Sequence, residues 1–167
     1  MLSKKMETAI NHQINLEIYS ALLYLQMSAH FAQANLNGFA HWFRIQYQEE
    51  LVHAGKLFDY VIRRNGSVTV EAIPAPPKSW KTTLSACEAA YAAEVKNTGQ
   101  INSLMDQAIS EKDHATRVIL EWFVEEQVEE ESSAQNLIEQ VKLAKNEPGA
   151  ILMIDRELGG RQPEAAE

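Results

Sequence analysis

The sequence predicts an all-α fold: a four-helix bundle with one long crossover between helices two and three, plus a short C-terminal fifth helix. Three observations predict it. Helix breakers are scarce, with Gly 7 and Pro 5 in 167 residues, and the prolines mark joints: Pro74, Pro76 and Pro77, then Pro148-Gly149. Between the joints lie four long blocks free of proline, whose apolar residues recur three and four positions apart. The connectors are unequal, two short and one long, and this sets the topology. The length suits a single domain over 1–167, with the bundle at about 4–145, the fifth helix at about 149–158 and a polar tail at 159–167.

The first helix is expected over about 4–34, where Ile10, Ile14, Ala21, Tyr24 and Phe31 share one face. Asn35-Leu36-Asn37-Gly38 then makes a short turn. The second helix, about 38–64, closes on Arg63-Arg64-Asn65-Gly66, with cations in its last turn and a glycine stop. SVTVEAIPAPPKSW follows as an extended segment. The second helix is roughly 40 Å long, and residues 66–80 can span about 50 Å. That reach lets the chain run the full height of the bundle, so helices two and three can lie parallel. The third helix is expected at about 81–110 and the fourth at about 114–145, with Asp113 as its N-cap. Pro148-Gly149 opens the fifth, AILMIDREL.

Composition narrows the function. The net charge is −8, from 15 Lys+Arg against 23 Asp+Glu, and an acidic chain is a poor partner for nucleic acid. Cys87 is the only cysteine, so an internal disulfide and a Cys-rich metal site are excluded. The opening MLSKKMETAINHQ lacks the apolar run of a secretory signal, and no stretch approaches the roughly 20 apolar residues of a membrane span. A cytoplasmic protein with no membrane partner is the expectation.

Tracing each helix by alternating steps of three and four gives its inward seam. The first reads Ile10, Ile14, Glu17, Ala21, Tyr24, Ser28, Phe31, and the second Phe39, Phe43, Gln46, Glu50, His53, Leu57, Tyr60. The third reads Leu84, Cys87, Tyr91, Glu94, Thr98, Ile101, Met105, Ala108, and the fourth Leu120, Phe123, Gln127, Glu130, Ala134, Leu137, Val141. Each seam is mainly apolar and carries one glutamate near its middle. Mid-helix positions meet at one height in such a bundle, so Glu17, Glu50, Glu94 and Glu130 converge, with His53 one turn from Glu50. Buried carboxylates must take up protons, pair with cations or bind metal. The seams hold no Lys or Arg at that level. Carboxylates with one imidazole suit a first-row divalent metal, and E-x-x-H sets both ligands on one helical face.

A single seam glutamate is readily explained as a slip in the helical phase, and a single histidine as a boundary residue. Four acids at one height are not. His12, His30, His41 and His114 have no such company and are expected as surface or boundary residues. EWFVEEQVEEE, residues 121–131, reads first as a solvated face, which suits Glu121, Glu125 and Glu131. Glu126 and Glu129 instead flank Glu130, and Glu49 flanks Glu50, so a second cluster bordering the core is plausible.

NLEIYSALLYLQMS, QEELVHAGKLFDYV, EEQVEEE and the closing AILMIDREL resemble the non-haem bacterial ferritins over nearly the whole chain. The resemblance implies a ferritin-like shell of twenty-four subunits that is a ferroxidase. It would oxidise Fe(II) with O2 or H2O2 at a di-iron centre within each subunit and store Fe(III) mineral for iron storage and detoxification. It places the first iron on Glu17, Glu50 and His53. The second falls on Glu50 as bridge with Glu94 and Glu130, and Gln127 stands beside it. It also implies a third iron site at Glu49, Glu126, Glu129 and Glu130. Tyr24 matches a tyrosine held near the centre, although a purely structural seam aromatic fits equally, and Trp122 matches a packing residue. Haem is not expected: Glu126-Gln127-Val128-Glu129 offers no second E-x-x-H, and Leu51 stands where haem-binding relatives carry methionine. A bundle enzyme that oxidises an organic substrate, or a metal-free interaction bundle with protonated core acids, are the competing classes. Seven of the 23 acids fall in the ligand set, so the remainder nearly balances the 15 bases and the acidity is largely a site.

Overall fold

In a computed structural model residues 2–162 are described; Met1 and the end of the polar tail, 163–167, lie outside the described residues. The elements are α1 (Lys4–Gln33), α2 (Asn37–Arg63), α3 (Thr83–Ser110), α4 (His114–Leu143) and α5 (Pro148–Leu158). Each start has a local cause. Ser3 caps α1 by accepting from the Met6 amide, Thr82 and Ser85 form a capping box on α3, and Asp113 caps α4 through Thr116. Pro148 occupies the first turn of α5, where its missing N–H costs nothing.

Cross-helix hydrogen bonds give the directions. Ser3–Glu111 and Tyr24–Glu94 run α1 against α3, while Gln46–Glu130 and Tyr60–Thr116 run α2 against α4. With α1 and α2 joined as a hairpin, α2 and α3 are parallel, as the crossover length predicts. Two asparagines one turn apart hold that crossover to α1. Asn11 bonds the Ser67 carbonyl (2.8 Å) and the Thr69 amide (2.7 Å), and Asn15 bonds the Thr69 carbonyl (2.9 Å) and the Glu71 amide (2.8 Å).

The stop of α2, expected at glycine, falls instead on asparagine. The left-handed residues after α1 and α2 are Asn35 (φ 59°) and Asn65 (φ 56°), and no described glycine has positive φ. Asparagine tolerates this conformation because its short side chain bonds locally. Gly38 lies inside the first turn of α2, and its requirement is proximity: a Cβ there would overlap the Asp155 carbonyl of α5. The Asp155 carboxylate in turn accepts from the amides of Gly38 (2.8 Å) and Phe39 (3.0 Å), capping a helix whose own N-cap residue, Leu36, offers no side-chain bond. Gly38→Ala is therefore expected to undock α5 at a local cost of about 1–3 kcal/mol. Hydrogen exchange would show α5 amides deprotected with α1–α4 unchanged; wild-type protection of α5 would refute the contact.

The apolar core is in two halves. One gathers Tyr24, Phe31, Phe39, Phe43, Leu137 and Val141, with Ile151, Ile154 and Leu158 of α5 laid over it. The other gathers Met6, Ile10, Leu57, Ile101, Leu120 and Phe123. Between them lies a polar layer, and it is there that the seam glutamates meet.

Candidate metal centre

Glu17, Glu50, His53, Glu94, Gln127 and Glu130 are all buried, from 0% exposure at Glu17 and Glu50 to 5% at Glu130, and Tyr24 is buried beside them. Glu17, Glu50 and His53 each bring one ligand atom into a group whose members lie within 4.8 Å of one another. His53, Glu126 and Glu130 form a second such group. His53 joins both: Nδ1 stands 3.6 Å from Glu50 Oε2 and Nε2 3.7 Å from Glu126 Oε1. Glu94 is in neither group; the Tyr24 hydroxyl donates to its Oε1 and Gln127 Nε2 to its Oε2 (3.3 Å). Neither Glu49, half-buried and ion-paired with Arg161, nor the exposed Glu129 belongs to either group.

An amide network encloses the acids. Gln13 Nε2 donates to Glu17 Oε1 (2.7 Å) and Asn97 Nδ2 to Glu17 Oε2 (3.2 Å). Asn97 also donates to Gln127 Oε1 (3.3 Å), and Gln46 Nε2 to Glu130 Oε2 (2.6 Å). Amides orient carboxylates without adding charge that would compete with a cation. The seam trace missed Gln13 and Asn97. A signal existed for Gln13, which precedes Glu17 by one helical turn as Gln46 precedes Glu50. Asn97 was hidden because the buried stripe of α3 is wider than a strict heptad seam: Ala90, Asn97 and Leu104 are buried, while Tyr91, Thr98 and Met105 are only partly so.

Both carboxylate oxygens of Glu50, and Nδ1 of His53, are buried without a hydrogen-bond partner. Burial, and next the repulsion of Glu94, holds the Glu50 carboxyl well above the usual carboxylate range. Burial raises Glu94 too, against the lowering bonds from Tyr24 and Gln127. Glu130 is pushed up to about 8 by burial and then by Glu94. Burial disfavours a charged imidazole at His53, but the facing carboxylates of Glu126 and Glu50 outweigh this and raise it well above its ordinary value. Carboxylates crowded until they hold protons, with orphaned oxygens facing one imidazole, make a donor set fitted to a divalent first-row metal.

Burial, followed by the nearby Glu94 charge, keeps the Tyr24 phenol protonated far above its ordinary value, so it is a fixed donor. Tyr24→Phe removes a donor from a buried acid and is expected to cost about 1–3 kcal/mol. Calorimetry should register a lower melting temperature; an unaltered one would show that the bond carries no weight.

Comparison with known proteins places this geometry among relatives. The ferritin-like domain family model matches residues 7–144. A bacterial non-heme ferritin of Bacteroides fragilis (strain 638R) is 42% identical over 161 residues, covering 96% of this chain and 100% of its own. An open-pore ferritin from the archaeon Archaeoglobus fulgidus superposes with a TM-score of 0.96 at 47% identity, covering 97% of this chain and 100% of that one. A humanized archaeal ferritin superposes at 0.97 with 45% identity, covering 99% and 100%.

Proposed function

The chain belongs to the ferritin-like domain family, and from that premise we propose that it is a ferroxidase storing and detoxifying iron in a hollow shell of twenty-four copies. The observation that carries the proposal is the pair of orphaned Glu50 oxygens beside His53, in a core layer with four glutamates. Fe(II) is the substrate. The first ion is held by Glu17, Glu50 and His53, and the second by Glu50 as bridge with Glu94 and Glu130, next to Gln127. Each ion gives up one electron to O2 or peroxide. A third ion is taken outside this pair by Glu49, Glu126, Glu129 and Glu130.

The protein's own contribution is spacing and charge. Glu50 has both oxygens free to bridge, and Gln13 and Asn97 fix Glu17 in one orientation. Cation binding displaces the protons that burial keeps on Glu50, Glu94 and Glu130. Tyr24 engages only Oε1 of Glu94, so the carboxylate keeps lone pairs for a second ion. Exposed apolar side chains at Leu51, Phe58, Val118, Val128 and Met153 are consistent with surfaces covered in an assembly. No described helix is long and apolar enough to cross a membrane, and a cytoplasmic place is part of the proposal.

Incubation with Fe(II) in air, followed by light scattering and electron microscopy, tests this reading. Particles of hundreds of kilodaltons with electron-dense cores are expected, and anaerobic Fe(II) titration should saturate at two or three ions per subunit. A small oligomer that forms no mineral and binds no Fe(II) would overturn it.

A further inference from the structure

Arg161, three residues beyond α5, is not part of any ligand set, yet it is the most firmly held side chain of the described tail. Its guanidinium donates from Nη2 to Glu49 Oε2 at 2.9 Å and from Nη1 to Gln46 Oε1, and it stacks 5.0 Å above the Trp42 ring. Its carbonyl lies 2.9 Å from His41 Nε2. Only 22% of the Arg161 side chain and 11% of the Glu49 side chain remain exposed, so the ion pair is poorly screened by solvent. Gln46 carries the contact inward. With its carbonyl taken by Arg161, its amide must face Glu130, to which it donates at 2.6 Å.

We propose that Arg161 is a built-in counter-ion to the outermost cation site, and that a metal ion binds Glu49 only by displacing the guanidinium. This rests on the proposed iron-binding role of the neighbouring carboxylates. A cation already occupies Glu49, so a divalent ion arriving there must break a charge-assisted fork. The ligands proposed for the two inner positions, Glu17, Glu50, His53, Glu94 and Glu130, make no hydrogen bond or ion pair with Arg161, whose partners are Glu49 and Gln46, so those positions are free of that competitor. Arg161 therefore sets the order of filling, inner pair first and outer ion last. It is a positioning residue, acting through Glu49 and, by way of Gln46, on the orientation of Glu130. Because it follows α5, whose docking depends on Gly38 and Asp155, the short segment after that helix is tied at Arg161 to the candidate metal centre.

Anaerobic calorimetric titration of the assembled, full-length protein with Fe(II), and separately with Zn(II), tests this without any turnover. In Arg161→Gln the weakest class of site is expected to tighten by about tenfold or more, with the tighter classes moving by less than about twofold. Arg161→Lys, which keeps the charge but not the planar fork, falls between wild type and Arg161→Gln. In Glu49→Gln the weakest class is lost, and adding Arg161→Gln restores nothing. An unaltered weakest class in Arg161→Gln, or equal tightening in the Glu49→Gln background or in Arg161→Lys, would overturn the proposal. A wild-type protein that binds neither metal would instead overturn the iron-binding reading beneath it, so the two failures are distinguishable.

Discussion

Glu50→Leu is expected to abolish Fe(II) oxidation while making the metal-free protein more stable. Glu50 is the most conflicted residue of the fold: fully buried, with neither carboxylate oxygen hydrogen-bonded. His53 Nδ1 stands 3.6 Å from its Oε2. An unsatisfied buried polar group costs about 1–3 kcal/mol, and an apolar group of similar shape removes that cost. At this chain length each kcal/mol raises the melting temperature by about 2–4 °C. The same change deletes the proposed bridge between two ions. Losing an outer-shell partner costs about 10–100-fold in metal affinity or activity, and a direct ligand should exceed that range. Calorimetry of metal-free protein and the initial rate of Fe(III) formation measure the two effects. Glu125→Gln, on the exposed face of α4, is the control and should alter neither. A destabilised Glu50→Leu protein that still oxidises Fe(II) at the wild-type rate would contradict the site.

The metal-free protein is expected to lose stability as pH rises from 5 to 8, and a bound divalent cation is expected to remove that slope. Glu50, Glu94 and Glu130 have folded values above the ordinary 4.5, with Glu130 at about 8. Between the unfolded and folded values the native state binds more protons than the unfolded chain, so stability falls with pH. The contribution is complete below about 4.5 and disappears as pH passes the folded values, which for Glu130 is near 8. His53, raised above 6.5, has the same sign over the upper part of the window. Each fully shifted group contributes a slope of about 1.4 kcal/mol per pH unit. Zn(II) competes with these protons, so its affinity should rise from pH 6 to 8 with release of roughly two protons per subunit. Titration in buffers of differing ionisation heat counts them. Equal affinities and a buffer-independent heat would refute the linkage.

Much of this was legible along the chain because its causes are local or periodic. Three-and-four spacing placed Glu17, Glu50, Glu94 and Glu130 on inward seams, and the structure buries all four. Asp113 as a cap and Pro148 at a helix start depend on neighbours within one turn. Gln127 was legible from its resemblance to ferritins. Gln13, on the same logic of an amide beside a seam acid, was overlooked. Asn97 was not reachable from an idealised heptad, since the buried face of α3 is broader than that seam.

The sequence by itself determined the helices, the single long crossover and the level at which the acids meet. It did not determine how those acids share ligand atoms. His53 joining both groups, with Glu94 in neither and bonded to Tyr24, depends on side-chain rotation within the layer, which spacing cannot specify. Nor did it show the two contacts of the C-terminal segment: Asp155 on the start of α2, 117 residues away, and Arg161 on Glu49, 112 residues away. Helical periodicity is a property of neighbours, written into every few residues. A contact between residues so far apart depends on how the packed helices lie, and packing alone rests Arg161 against a glutamate beside the candidate metal centre.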